Sequence, residues 1–119
     1  MDYMLLIYED EAIGQAMTEA ESEQLMSAYG EYTQELIAAG VMKHGAPLHS
    51  VTTATTVRVR DGATSTTDGP FAETKEQLGG YYLLDCEDLD QALAWAAKVP
   101  SAKLGSIEVR PVIPMGPPQ

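Results

Sequence analysis

The side chains able to move a proton or hold a ligand fall mainly in two stretches: residues 43–49 carry both histidines, His44 and His49, and residues 68–76 carry Asp68, Phe71, Glu73, Lys75 and Glu76. Asp68 can serve as a general acid or base, or orient a ligand hydroxyl, if partial burial favours its protonated form. The same residue before Gly-Pro is a common turn builder whose carboxylate accepts backbone amides, so two readings stand. His44 is of the class that transfers protons near neutral pH, and the chain can return Asp68 toward it, which makes the two a candidate acid and base. If residues 73–78 form a helical turn, Glu73 and Glu76 share a side and can flank a ligand. Lys75 then offers a positive charge to an anionic group, while a solvated connector accounts for the same residues. Tyr81 can present a ring to a pocket and a hydroxyl to a polar atom.

Other chemistries lack the residues they need. The single cysteine, Cys86, excludes an intramolecular disulfide and a thiolate zinc cluster, and its neighbours Glu87 and Asp88 disfavour a thiolate, so packing is its expected role. Two histidines five residues apart on an irregular segment do not make a metal site. Gly79-Gly80 is followed by no Lys-Ser or Lys-Thr and opens no helix after a strand, so close backbone packing is expected there rather than phosphate binding. We expect no metal and no bound cofactor.

The elements that position these residues are legible in the pattern. Residues 3–8 are apolar on both alternating sides and read as a strand, as do residues 81–86. Thr18 with Glu21 forms a capping box, and Leu25, Tyr29, Tyr32 and Leu36 make a helical stripe that Gly40 can end. Residues 9–17 read as a loop or a short helical turn, and residues 41–53 as a short irregular strand. Residues 55–60 and 63–67 alternate around Asp61-Gly62, a type I′ hairpin that sets Val59 opposite Thr64, Val57 opposite Thr66 and Thr55 opposite Asp68. Asp68 then shares a face with Val57 and Val59, and that face is expected to be covered. Asp88 with Gln91 caps a second helix with the stripe Leu89, Ala92, Leu93 and Ala96, which must end before Pro100, and Ser106 to Val112 form the last strand.

Strand, helix, hairpin region, strand, helix, strand is a ferredoxin-like α+β plan, βαββαβ with an antiparallel sheet. The two doubly apolar strands take its centre. Helices cover one face of such a sheet, so the other predicts a homodimer through sheet faces. A chain of 119 residues is expected to form one domain of residues 1–119, with a radius of gyration of about 13 to 14 Å and a Pro-rich tail at about 111–119.

Eighteen acids against seven Lys and Arg give a net charge of −11, and nine of those acids precede the first base, Lys43. Nucleic acid and anionic membranes are therefore not expected partners. Residues 3–8 are too short for a span or signal peptide, which makes a cytoplasmic protein the expectation.

Asp68-Gly-Pro-Phe-Ala-Glu-Thr-Lys-Glu-Gln-Leu-Gly-Gly-Tyr-Tyr82 resembles the signature of YCII-related proteins of the DGPF type. Similarity extends through residues 3–8, 54–62, 92–96 and 108–111. The resemblance implies a dimeric α+β-barrel fold. In related branches it implies a histidine and aspartate active pair, with one branch similar to lactone dehalogenases or isomerases. It raises Asp68, Phe71, Glu73, Lys75, Glu76 and Tyr81 as ligand-site candidates. The functions expected are a cofactor-independent lyase or isomerase acting on a small carbonyl, lactone or aromatic compound, or a noncatalytic homodimer that binds a small molecule or a protein.

Overall fold

A computed structural model describes residues 1–116. The chain runs β1 (Asp2–Glu9), α1 (Glu11–Gln15), α2 (Glu19–Ala38), β2 (Met42–Pro47), β3 (Thr55–Arg60), β4 (Ala63–Asp68), β5 (Gln77–Asp85), α3 (Leu89–Ala97) and β6 (Ser106–Pro111). Single 3-10 turns lie at Val51–Thr53 and Pro100–Lys103. Beyond β6, residues 112–116 form neither helix nor strand, and the last three residues of the expected tail lie outside the described residues.

The capping box forms as the sequence requires. The Glu21 amide donates to Thr18 Oγ1 at 3.1 Å and the Thr18 amide donates to Glu21 Oε1 at 3.1 Å, which satisfies donors that a helix start leaves free. Tyr32 and Leu36 on the inner face of α2 are buried, with Leu25 and Tyr29 half-buried beside them. In α3, Asp88 caps the Gln91 amide at 2.9 Å, but the inner face is Ala92 and Ala96. Leu89 and Leu93, expected in the same stripe, are exposed. The small alanines let the helix backbone lie close to the sheet, and Val99 and the Trp95 ring complete the packing.

Four strands make an antiparallel sheet in the order β2-β5-β1-β6, with β1 and β5 at its centre. This is the ferredoxin-like α+β plan. Tyr3, Leu5 and Ile7 of β1 and Tyr82 and Leu84 of β5 are buried beneath α2 and α3. There the Tyr32 ring meets Tyr82 edge-on at 5.3 Å and Trp95 at 6.2 Å, a favoured aromatic geometry. On the opposite face, Met4, Leu6, Tyr8, Tyr81 and Leu83 are half-buried, and no helix lies over them.

The irregular segment after α2 supplies the edge strand β2, so the β3–β4 hairpin stands outside this sheet as a two-stranded sheet of its own. Its turn is as expected: Asp61 (φ 51°) and Gly62 (φ 77°) take the left-handed pair a type I′ turn needs, and Thr55 pairs with Asp68. Its cover is not. Val57 and Val59 are 59% and 57% exposed, because a hairpin detached from the main sheet meets neither helix. The detachment also raises the radius of gyration to 16.5 Å, above the compact expectation, within extents of 49 × 48 × 19 Å. The short dimension suits one sheet with one helix layer.

Among the described residues no helix is long and apolar enough to cross a membrane. Replacing Thr18 with Ala removes half of the capping box and is expected to cost about 1 kcal/mol. It should appear as a fall of a few degrees in Tm, with the helical circular-dichroism signal retained below the transition.

Candidate functional site

Strand parity continues past the apolar run of β1. Tyr3, Leu5 and Ile7 face the helices, and the next residue on that side is Glu9. Opposite it the β1–β5 ladder is irregular: Ile7 pairs with Gly80 and Tyr8 with Leu78, so Gly79 is an extra residue in β5. This is a β-bulge, which bends and twists the strand that carries it. Gly79 leaves the room that the Glu9 side chain occupies. A Cβ on it would lie 2.7 Å from Glu9 Oε1 and 3.2 Å from Glu9 Cγ.

Glu9 lines a cavity of about 340 Å³ between the sheet and α2. Ile7 and residues 79–82 form its floor, Tyr29 and Thr33 of α2 its roof, and Met42 with Gly45, Ala46 and Pro47 of β2 its side. Met26, largely exposed, marks the rim. The volume is in the range of small-molecule sites. Among the described residues, the Glu9 carboxyl has no hydrogen-bond partner and no paired cation. Burial, and secondarily the charge of Glu11, push its pKa above the ordinary carboxylate value. Glu11 is itself held in place, accepting from the Val51 amide at 2.9 Å and the Ser50 hydroxyl at 3.1 Å.

The hydroxyls in the wall are organised unequally. Tyr29 donates to Ser101 Oγ at 2.7 Å, which commits its proton, and burial raises its pKa. Thr33 Oγ1 and the Tyr82 hydroxyl lie 2.9 Å apart. One donates to the other, and the acceptor keeps a proton for a third atom. The cavity thus offers one carboxyl, one free hydroxyl donor and an otherwise apolar wall.

Of the residues singled out from sequence, His44 and Tyr81 come together. Nδ1 of His44 and the Tyr81 hydroxyl are 2.6 Å apart and the rings stack at 5.6 Å, on the helix-free face of the sheet. Asp68 does not join them. It is exposed at the base of the hairpin, where the Gly69 amide closes the strand pair on the Ala54 carbonyl at 2.7 Å. Among the described residues its carboxylate bonds neither His44, Tyr81 nor the amides of residues 69–73, and it is not part of the cavity wall. Phe71, 82% exposed, and Glu73 and Lys75, also exposed, lie outside the wall as well. Residues 73–76 are not helical, because Gln77 already belongs to β5. Glu76 instead accepts from the Ser106 hydroxyl at 2.7 Å and ties β6 to the start of β5. Cys86 is buried, and burial raises its thiol pKa ahead of the charge of Asp85.

The sequence matches the YCII-related domain across residues 1–116. The chain belongs to the YCII-related family. This YCII-related chain is 42% identical over 114 residues to an uncharacterised protein of Rhizobium meliloti (strain 1021), covering 94% of this chain and 92% of that one. Its fold is similar to that of 5-chloro-2-hydroxyhydroquinone dehydrochlorinase from Burkholderia phenoliruptrix AC1100, solved in complex with 2,5-dihydroxybenzoquinone. The TM-score is 0.56 at 16% identity, covering 95% of this chain and 94% of that one.

Two measurements test this geometry. Because Glu9 of the YCII-related chain has a raised pKa in the folded state, the fold binds its proton more tightly than the unfolded chain does. That contribution is complete below the unfolded carboxylate pKa and is lost as pH rises through the folded value. Glu9→Gln is therefore expected to melt above wild type at about pH 7, with the gap closing by about pH 4. Gly79→Ala meets the flexible end of Glu9, not backbone, so Tm should change little while the carboxyl is displaced. The Glu9 titration followed by carboxyl-carbon NMR should then shift.

Proposed function

We propose that this protein binds a small, largely apolar ring or carbonyl compound in the cavity between α2 and the sheet and moves a proton on it, with Glu9 as acid or base and no cofactor. The observation that carries this reading is the half-buried Glu9 carboxyl facing an otherwise apolar wall with no cation beside it. Desolvation brings such a group toward the pH at which it can both take and return a proton. The carboxylate would accept the proton from a carbon beside a carbonyl. The free hydroxyl of the Thr33–Tyr82 pair would donate to the enolate oxygen that forms. Returning the proton elsewhere completes an isomerisation, and loss of a leaving group from the enolate completes an elimination. The dehydrochlorinase of similar fold, solved with a dihydroxybenzoquinone, supports a ring compound of this size.

We also propose that two copies associate through the helix-free face of the sheet. Met4, Leu6, Tyr8, Tyr81 and Leu83 form an apolar surface there, and the His44–Tyr81 pair would lie in the seam. The uncovered Val57 and Val59 support association too, since an isolated two-stranded hairpin is marginal in water.

Once a thermal-shift screen of carbonyl compounds, lactones and hydroxylated aromatics has supplied a substrate, Glu9→Gln should lower turnover by roughly 100-fold or more with ligand affinity retained. Asp68→Asn should stay near wild type. The reverse pattern would transfer the role to the hairpin base, and unchanged turnover in both variants, or binding without turnover in the wild type, would leave a binding protein. Light scattering should give twice the 12.8 kDa chain mass. Leu6→Lys should give monomer or unfolded chain, because the buried charge has no partner in that face.

A further inference from the structure

The cavity wall is as informative for what it lacks as for what it holds. No Lys, Arg or His contributes to it. Two of the seven bases are engaged at the surface, Lys43 with Asp2 at 2.8 Å and Lys98 with Glu35 at 2.6 Å. Arg58 and Arg60 are on the hairpin, Lys75 is on the exposed segment before β5, Lys103 is in the turn before β6, and Arg110 is on β6. An anion entering between α2 and the sheet would meet Glu9 and hydroxyls, with no counter-charge to replace its water.

We propose that this site selects uncharged, hydroxyl-bearing ring compounds and rejects their carboxylate counterparts. The inference rests on the cavity being the ligand site. An anion loses hydration that the wall does not return, and it faces the Glu9 carboxyl across a medium of reduced dielectric. A hydroxyl both donates and accepts one bond, which matches Glu9 and the free proton of the Thr33–Tyr82 pair. An ammonium brings three donors, and apart from Glu9 it would lose its water against Ile7, Met26 and Met42.

Benzyl alcohol, benzoate and benzylamine carry a hydroxyl, a carboxylate and an ammonium on the same ring at closely similar size. Titrated into full-length protein labelled with 13C at the methionine methyls, each reports occupancy through Met26 and Met42, which line the cavity. Benzyl alcohol should move both signals with a Kd at least about tenfold below that of benzoate and below that of benzylamine. In Glu9→Gln the gap between benzyl alcohol and benzoate should narrow. Benzoate binding as tightly as the alcohol, benzylamine binding more tightly, or an unchanged gap in Glu9→Gln would overturn the selectivity while leaving the cavity as a site. Met26 and Met42 signals that none of the three moves at millimolar concentration would overturn the cavity reading and the selectivity with it.

Discussion

β1 and β5 are apolar on both alternating sides, yet the chain has helices for only one of them. Burying Tyr3, Leu5, Ile7, Tyr82 and Leu84 beneath α2 and α3 secures the fold and fixes which parity faces inward. Every later feature inherits that assignment. Because the inward set begins at Tyr3, it reaches Glu9 at the strand's end, where the helix layer gives way to a cavity. Because the other set is left half-buried, the sheet carries an apolar surface that no helix of the described residues covers. The interior carboxyl and the exterior apolar face are two outcomes of one alternation.

The elements were legible where local physics decides them. The capping box at Thr18 and the left-handed pair at Asp61 and Gly62 are satisfied within a few residues of themselves, so their spacing suffices. The central pairing of β1 with β5 was readable because doubly apolar strands have only one place in a four-stranded sheet. What failed depended on distant partners. The hairpin's internal register is correct, but whether Val57 and Val59 are covered depends on where the hairpin departs from the sheet, and β2 had already taken the edge beside β5. Ala92 and Leu93 follow the same helical period, and only the closeness of the sheet selects the alanine.

The inward position of Glu9 is hidden in the sequence for a physical reason. The apolar run ends at Tyr8, and three consecutive acids read as solvated loop, yet strand parity extends one step farther and puts the first of them inside. A Gly-Gly pair opposite the end of a strand was the accompanying signal: close packing was expected at Gly79 and Gly80, and what packs against Gly79 is the Glu9 side chain. Asp68 attracted attention through its motif. In the fold it ends the β3–β4 ladder, exposed and outside the cavity wall.

Residues 48–76 leave β2 and re-enter at β5, and those two strands are neighbours. The whole segment, hairpin included, is therefore a single excursion from one edge of the sheet, and its length is uncoupled from the sheet's register. Residues can be added or removed in cross-strand pairs near the Asp61-Gly62 turn without moving Leu84, Tyr82 or the bulge at Gly79. The hairpin can therefore change its reach from the sheet while the strands beneath it stay in register.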